Sequence, residues 1–350
     1  MKKIALISPA LPPSLNGNAV DVERWKRELE KKGKTVRLFL SSDKNLKDKL
    51  SRFKPDVAHV IHASKGARAI KFLKKLEIPV VLTLAGPDIN VDMEDKRRRH
   101  LVVDSFHAAD QVIVFYNRLK VDLMMKFPRL RNKMNVINKE IDLPKSGLDF
   151  RKKYKFAKDD FIFYLPASIE SIKNPLFPVK PLHRLFDQYP NVRFVVSGPI
   201  VEKGLARKLM SVHKKLAFVK YIKVVPRKHM YAAYRDVDVV LNCSESEGMP
   251  TAILESMMLG KAVLAHKIPA TEAIIQHNHN GLLYKNEEKF YQLAERLVTS
   301  RRLKSRLEKN AYDTYRFFYT NKQEVQRIMK VYAAAIEANK VALEKAARRR

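Results

Sequence analysis

One cysteine in 350 residues, Cys243, rules out an internal disulfide and leaves nothing for a cysteine-built zinc site. A reducing compartment is the natural reading, and a cytoplasmic location is expected. Glycine is scarce at 10 residues and no low-complexity stretch occurs, so a globally disordered chain does not fit. Long apolar runs are missing too. The longest are interrupted by Lys or Pro well short of the roughly 18 to 20 residues that a membrane span needs. The apolar start MKKIALISPALPP is brief and ends in prolines, which suits a first buried strand better than a signal peptide. Acidic residues are the last shortage: Asp and Glu number 37 against 69 Lys and Arg, for a formal net charge of +32.

That excess is spread along the chain, +13 in residues 1–150 and +19 in residues 151–350. A diffuse positive field raises encounter rates with phosphates, nucleic acid or acidic lipid headgroups and specifies none of them. Lysine-rich solvation of a robust surface is the alternative explanation. No recognition helix or basic stripe with interleaved aromatics is present, so no specific nucleic acid partner is expected. No His, Cys or carboxylate set has metal spacing, and HNH at His277–His279 reads as a surface loop. Metal-independent chemistry without a resident cofactor is the expectation.

What is present is alternation. Short β-branched runs, KKIALISPA, TVRLFL, VAHVIH, PVVLTLA and QVIVFY, recur between amphipathic segments in the first 116 residues. After a polar stretch the pattern restarts with FIFYLPA, RFVVSG, IKVVP, VDVVLNC, KAVLAH and GLLY. This predicts an α/β protein of two doubly wound, Rossmann-like domains facing a cleft, residues 1–142 and 158–315, joined by a linker at 143–157. Residues 301 onward read as helix throughout, with Tyr312, Tyr315, Phe318, Val325, Ile328, Val331 and Tyr332 on an apolar side. Residues 316–350 form a C-terminal helix packing back on a domain, ending in the basic tail Arg348, Arg349 and Arg350, for which fraying in solvent outweighs contact with anions.

The densest cluster of unusual residues is SESEGMPTAILESMMLGKAVLA, 244–265, with Glu247 and Glu255 eight positions apart. Gly248 permits a tight loop after a strand, Pro250 suits the first helical position, and Gly260 ends the helix two turns later. Two carboxylates there can hold two hydroxyl-bearing parts of one ligand. The helix N-terminus between them favours an anion such as phosphate. A solvated loop acid and an exposed helical acid are the plain alternatives.

The spacing EGMPTAILE resembles the two-glutamate signature of the retaining family 4 glycosyltransferases, which have the GT-B fold. LNGNAVDVERWKRELEKKGKTVRLF, KPDVAHVIHA, LTLAGPDINVD, SIKNPLF, RFVVSGP and KIPATEAIIQHNHNGLLY resemble further segments of that family in the same order. The resemblance implies transfer of a sugar from a nucleoside diphosphate donor to an acceptor hydroxyl. It makes Glu247 the group near the sugar hydroxyls, Glu255 the acceptor for ribose hydroxyls, and Lys173 the cation that neutralises the diphosphate. Gly17, Gly248, Met249, Pro250 and Thr251 are the further donor contacts. Asn18, Asp88 and His62 are candidates for the acceptor, with a turn or capping role equally open for Asp88. His59 and His62 are three apart in a strand, so they point to opposite faces and cannot both line one site.

Three positions depart from the family pattern. The stretch ASIESIK puts Ser168, Ile169 and Glu170 where relatives carry an arginine, Ala85 replaces a histidine, and Ala270 replaces a glycine. The readings that follow are two. One is a hexosyltransferase-type enzyme whose acceptor is an anionic or lipid-linked glycan, with peripheral membrane contact. The other is a degenerate GT-B protein that binds polyanions or nucleic acid and has lost transfer chemistry.

Overall fold

The computed structural model describes residues 1–14, 17–320 and 323–348; Leu15 and Asn16 of the first glycine-containing loop, and Arg349 and Arg350 of the basic tail, lie outside the described residues. Two compact units divide the chain, Met1–Glu140 with Asn321–Arg350, and Ile141–Thr320.

In the first unit six parallel strands, β1 Lys3–Ser8, β2 Thr35–Leu40, β3 Val57–Ile61, β4 Val80–Thr83, β5 Gln111–Val114 and β6 Met134–Val136, lie in the order β2-β1-β3-β4-β5-β6. Every residue of β3, β4 and β5 is buried. That is why these strands read as unbroken apolar runs rather than alternating ones: helices cover both faces of a parallel sheet. Helix Ala63–Lys75 approaches the sheet closely, and a Cβ on Gly66 would stand 2.4 Å from Val60 Cγ1. The sequence pattern missed β6, whose three residues are too few to show a period.

The C-terminal fifty residues form two helices, Arg301–Tyr319 and Glu324–Ala347. The second belongs to the first unit, where Val325, Ile328, Val331, Tyr332 and Ala335 pack with Ile4, Leu6, Trp25, Val81 and Ile113. Tyr312 and Phe318, expected on an apolar side, are 43% and 58% exposed. At the start of this last helix four charges are sealed together. Glu324 pairs with Arg24 and accepts from Trp25 Nε1 and the Glu140 N–H, both at 2.9 Å, while Asp21 takes Arg24 at 3.3 Å and Lys139 at 2.7 Å.

In the second unit β7 Phe161–Pro166, β8 Val192–Ser197, β9 Val219–Tyr221, β10 Val239–Asn242, β11 Ala262–His266 and β12 Leu282–Tyr284 form a parallel sheet in the order β12-β11-β10-β7-β8-β9. The chain runs outward from β7 to β9, then returns to the other side of β7 with β10. The order reverses between β7 and β10, and open α/β sheets bind ligands beyond the strand ends at such a point. The segment 143–157 lies within this unit, with Leu143 and Phe150 buried against Ile162, Tyr164 and Val240. The strand read from IKVVP falls earlier, at Val219–Tyr221. Lys223, with φ 60°, turns the backbone out of extended geometry, while Val225 is still buried as a core residue. Among the described residues no helix is long and apolar enough to cross a membrane.

Candidate functional site

The loops that leave β7 and β10 carry the charged residues of interest. After β7 the chain makes a short 3-10 turn, Ser171–Lys173, and Asn174 follows with φ 46°. After β10 the loop 243–250 leads into helix Thr251–Met258. The loops are laced together by the Glu245 N–H on the Ile172 carbonyl at 2.9 Å and by Asn174 Nδ2 on Glu245 Oε1 at 3.2 Å. Behind them the ends of β7 and β8 touch: a Cβ on Gly198 would stand 2.0 Å from the Ala167 carbonyl oxygen, so only glycine fits.

This lacing brings Lys173 and Glu247 into an ion pair, Nζ to Oε1 at 2.8 Å, with their side chains 24% and 14% exposed. The Ser244 hydroxyl donates to the same oxygen at 2.7 Å and Asn242 Nδ2 stands 3.4 Å away. Burial alone would raise the Glu247 carboxyl. The Lys173 charge, the hydrogen bond from Lys173 and those from Ser244 and Asn242 outweigh it and hold the group below its ordinary value. Glu247 is therefore an ionised acceptor at neutral pH. His266, at the end of β11, donates from Nδ1 to the Ser244 carbonyl at 3.1 Å and stacks on Tyr284, which steadies the residue that holds Glu247.

Glu255 sits in the middle of the helix that follows, and its side chain is 3% exposed rather than projecting into solvent. Arg227, the first residue of helix Arg227–Arg235, pairs with Oε1 and also donates to the Asp142 carbonyl. The Tyr234 hydroxyl donates to Oε2 at 2.6 Å. Burial, then the Glu255 charge, pushes the Tyr234 phenol well above its ordinary value, so it stays a donor. Pro250 caps this helix and Thr251 is its first residue, one position later than the sequence suggested, while Gly260 follows the helix end at φ 59°. Gly248 and Met249 are buried in the loop between the two glutamates. Its neighbour Cys243 is 1% exposed, and burial raises its thiol to about 12, so it is inert.

The departures from the family pattern have visible consequences. Glu170 accepts from the Ser168 hydroxyl of its own loop. Ala270 is buried in the short helix Pro269–Glu272, whose Thr271 hydroxyl donates to the His266 carbonyl at 2.6 Å. Among the described residues no group of three or more His, Cys, Asp or Glu side chains is placed to hold a metal ion.

Candidates in the first unit also follow strand ends. Gly17 opens helix Gly17–Glu30 after β1, where a Cβ would meet nothing within 4 Å, and Asn18 beside it is half-buried. The fold itself makes no demand for glycine there. His62 follows β3 with φ 75°, caps helix Ala63–Lys75 and is 2% exposed. Burial pushes its imidazole below the ordinary value although Asp88 at 4.0 Å pulls the other way. Asp88 is fully buried, and its oxygens accept from the N–H groups of Ala63, Ala85 and Gly86 at 2.9–3.1 Å. That is the turn-closing role, and it leaves no exposed surface of the carboxylate for a ligand. The expectation that His59 and His62 alternate along one strand does not apply, because His62 lies beyond β3; His59, within it, is sealed between Thr83, Tyr332 and the Trp25 ring.

Sequence reasoning passed over Ser244, His266, Arg227 and Tyr234. Only Ser244 stands near enough in the chain to a singled-out acid to have been suspected.

Residues 148–314 match the family described as Glycosyl transferases group 1. The chain is 28% identical over 305 residues to glycosyltransferase 1 domain-containing protein 1 of Xenopus tropicalis, an alignment covering 84% of this chain and 88% of that one. Its fold is similar to Anabaena HepE in complex with UDP and glucose, at TM-score 0.79, 16% identity and coverage of 95% and 100%. It is also similar to sucrose-phosphate synthase from Thermosynechococcus elongatus, at TM-score 0.81, 14% identity and coverage of 97% and 100%. The two parallel six-stranded sheets with flanking helices are thus a GT-B fold, and the match to the glycosyltransferase group 1 family falls within the second unit.

Proposed function

We propose that the protein is a retaining glycosyltransferase of the family 4 type, which moves a hexose from a nucleoside diphosphate sugar to an acceptor hydroxyl. The observation that carries this reading is the Lys173–Glu247 pair, 2.8 Å apart at the strand-order reversal between β7 and β10, inside the segment that matches the glycosyltransferase group 1 family. The pair is half-open. An incoming diphosphate can therefore take over Lys173, and a sugar hydroxyl can donate to Glu247 in the place of Lys173.

In this mechanism the bond between the anomeric carbon and the diphosphate oxygen breaks, and the acceptor oxygen attacks the same face. The leaving phosphate receives the acceptor proton. Negative charge grows on the leaving group as the bond breaks, so a fixed cation at Lys173 stabilises the transition state more than the bound donor. The N-terminal turn at Met249, Pro250 and Thr251 adds backbone dipoles of the same sign. Lys173 supplies the positive charge that a metal ion supplies elsewhere, and the reaction is read as metal-independent. Glu255 holds the ribose. The net charge of +32 supports an anionic or lipid-linked acceptor at a membrane surface.

Thermal-shift titration against UDP, GDP, ADP and their sugars tests the donor. Stabilisation by one nucleotide, followed by NMR assignment of the product anomer, is the expected result. If no nucleotide stabilises the chain and polyanions bind with a steep dependence on salt, the binding-only alternative replaces it.

A further inference from the structure

Helix Arg301–Tyr319 buries Leu303, Leu307, Ala311 and Tyr315 along one side. Its other side is basic. Residues 301–320 hold six Lys and Arg against two Asp and Glu, a net +4 that is about twice the charge density of the whole chain. Arg302, Arg306, Lys309 and Arg316 follow one another at steps of four, three and seven, which in an α-helix gathers them on the side facing away from the core; all four are exposed, with Asp313 interrupting the row. The end of the helix carries aromatic side chains that the fold leaves outside. Phe317 is 78% exposed, against 58% for Phe318 and 43% for Tyr312. The two phenylalanine rings meet edge-on, 4.8 Å between centroids, and the Arg316 guanidinium lies 5.8 Å over the Tyr312 ring. We infer that this face of the second unit docks on an anionic lipid bilayer, with Arg302, Arg306, Lys309 and Arg316 on the headgroup phosphates and Phe317 and Phe318 at the boundary with the acyl chains.

The argument is one of complementarity. A basic helix side alone would attract any polyanion, and exposed aromatics alone would suit any apolar partner. The two together match a surface that is charged outside and oily beneath. Phe317 and Phe318 add nothing to the core, and adjacent exposed phenylalanines are a liability in water unless something covers them. The face is also held in place. Arg306 reaches the Asn278 carbonyl at 3.4 Å and Asn310 Nδ2 the His279 carbonyl at 2.9 Å, so the helix is braced along its flank as well as by its buried side. Docking therefore requires little ordering of the helix. This gives the membrane reading of the acceptor above a named surface, and it stands apart from the donor chemistry.

Co-sedimentation of the full chain with vesicles tests this, using phosphatidylcholine alone and phosphatidylcholine with about 30% phosphatidylglycerol. The unmodified protein should bind the anionic vesicles at least about tenfold more tightly than the neutral ones. Phe317→Trp should shift its emission to the blue on binding and be quenched by bromine-labelled acyl chains, over a constant background from Trp25, which is 1% exposed. Phe317→Ala with Phe318→Ala should weaken binding about tenfold or more while the thermal midpoint holds, because both rings lie outside the core. Arg302→Gln, Arg306→Gln and Lys309→Gln together should weaken it about 100-fold, some fivefold for each cation. The same charge removed from the exposed first-unit residues Lys47, Lys71 and Lys75, each changed to Gln, should cost about threefold or less. Failure of the unmodified chain to bind anionic vesicles overturns the inference, as does unchanged binding in the double alanine variant. Equal losses in the two triple variants assign the binding to net charge and overturn it too. A concentration-dependent dimer abolished by the alanine pair, without vesicle binding, makes the occupant a second copy instead. Nucleotide titration of the same variants is read separately, so the donor reading stands or falls on its own result.

Discussion

Both units set acids against bases, but one cluster is closed and the other is not. In the first unit Asp21, Arg24, Lys139 and Glu324 have side-chain exposures of 1% to 7%. In the second, Lys173 and Glu247 keep 24% and 14%. Separating the sealed charges leaves one of them buried without a partner, so that cluster fastens the last helix to the first. The half-open pair can exchange partners with a ligand at little cost, because water and solute reach it. Burial, more than the identity of the charges, separates a fastening from a site.

The sharpest way to break this comparison is Glu324→Ala. It leaves Arg24 buried without its main carboxylate partner and should cost about 3–5 kcal/mol, read as a fall in the denaturant midpoint. Nucleotide affinity of the folded fraction should stay as it was. Lys173→Ala and Glu247→Gln should do the reverse. Turnover, followed as nucleoside diphosphate release, should drop about 10²- to 10³-fold. The thermal midpoint should move by the equivalent of about 1 kcal/mol or less. A loss of stability in Lys173→Ala as large as in Glu324→Ala would erase the distinction.

The two regions should also answer pH differently. His59 is wholly enclosed and its imidazole is pushed down to about 3, by burial alone. Between about pH 6.5 and 3 the unfolded chain takes up a proton that the native chain refuses, so stability should fall by about 1.4 kcal/mol per pH unit on acidification. Denaturation curves at several pH values check this, and His59→Gln should remove that part of the slope. Glu247 is depressed, so its pairing is complete above the ordinary carboxylate range and is lost as pH falls through the lower native value. Lys173→Met removes the largest counterweight to burial and leaves only the hydrogen bonds from Ser244 and Asn242, so the acid limb of whatever activity remains should move to higher pH.

The smallest expected change is Gly17→Ala. The added methyl group meets nothing within 4 Å, so folding stability should hold or rise by about 0.4–1 kcal/mol. Weaker nucleotide binding in that variant would locate the demand for glycine in the ligand.

Local signals carried most of the scaffold. Parallel strands buried on both faces announce themselves as apolar runs, and ten or more of them were readable before their order was known. The loop around Glu247 was legible because Gly248 and Pro250 lead into a helix start. What local pattern does not hold is partnership across sequence distance. Arg227 precedes Glu255 by 28 positions, and nothing in VVPRKHM marks it as the cation that meets that acid. Arg24 and Glu324 are 300 positions apart, and either alone reads as an ordinary exposed helical charge. Asp88 shows the same limit: the sequence left a ligand role and a turn role equally open, and only the positions of three backbone N–H groups reveal that the carboxylate is occupied by the turn.

The first unit is built from both ends of the chain, and this sets an order on its making. As the polypeptide leaves the ribosome, residues 141–320 are complete and able to fold while one face of the earlier sheet, around Ile4, Val81 and Ile113, still waits for Val325, Ile328 and Tyr332. The half that is synthesised first is therefore the half that matures last, and during that interval its uncovered side is the place where a chaperone would be needed.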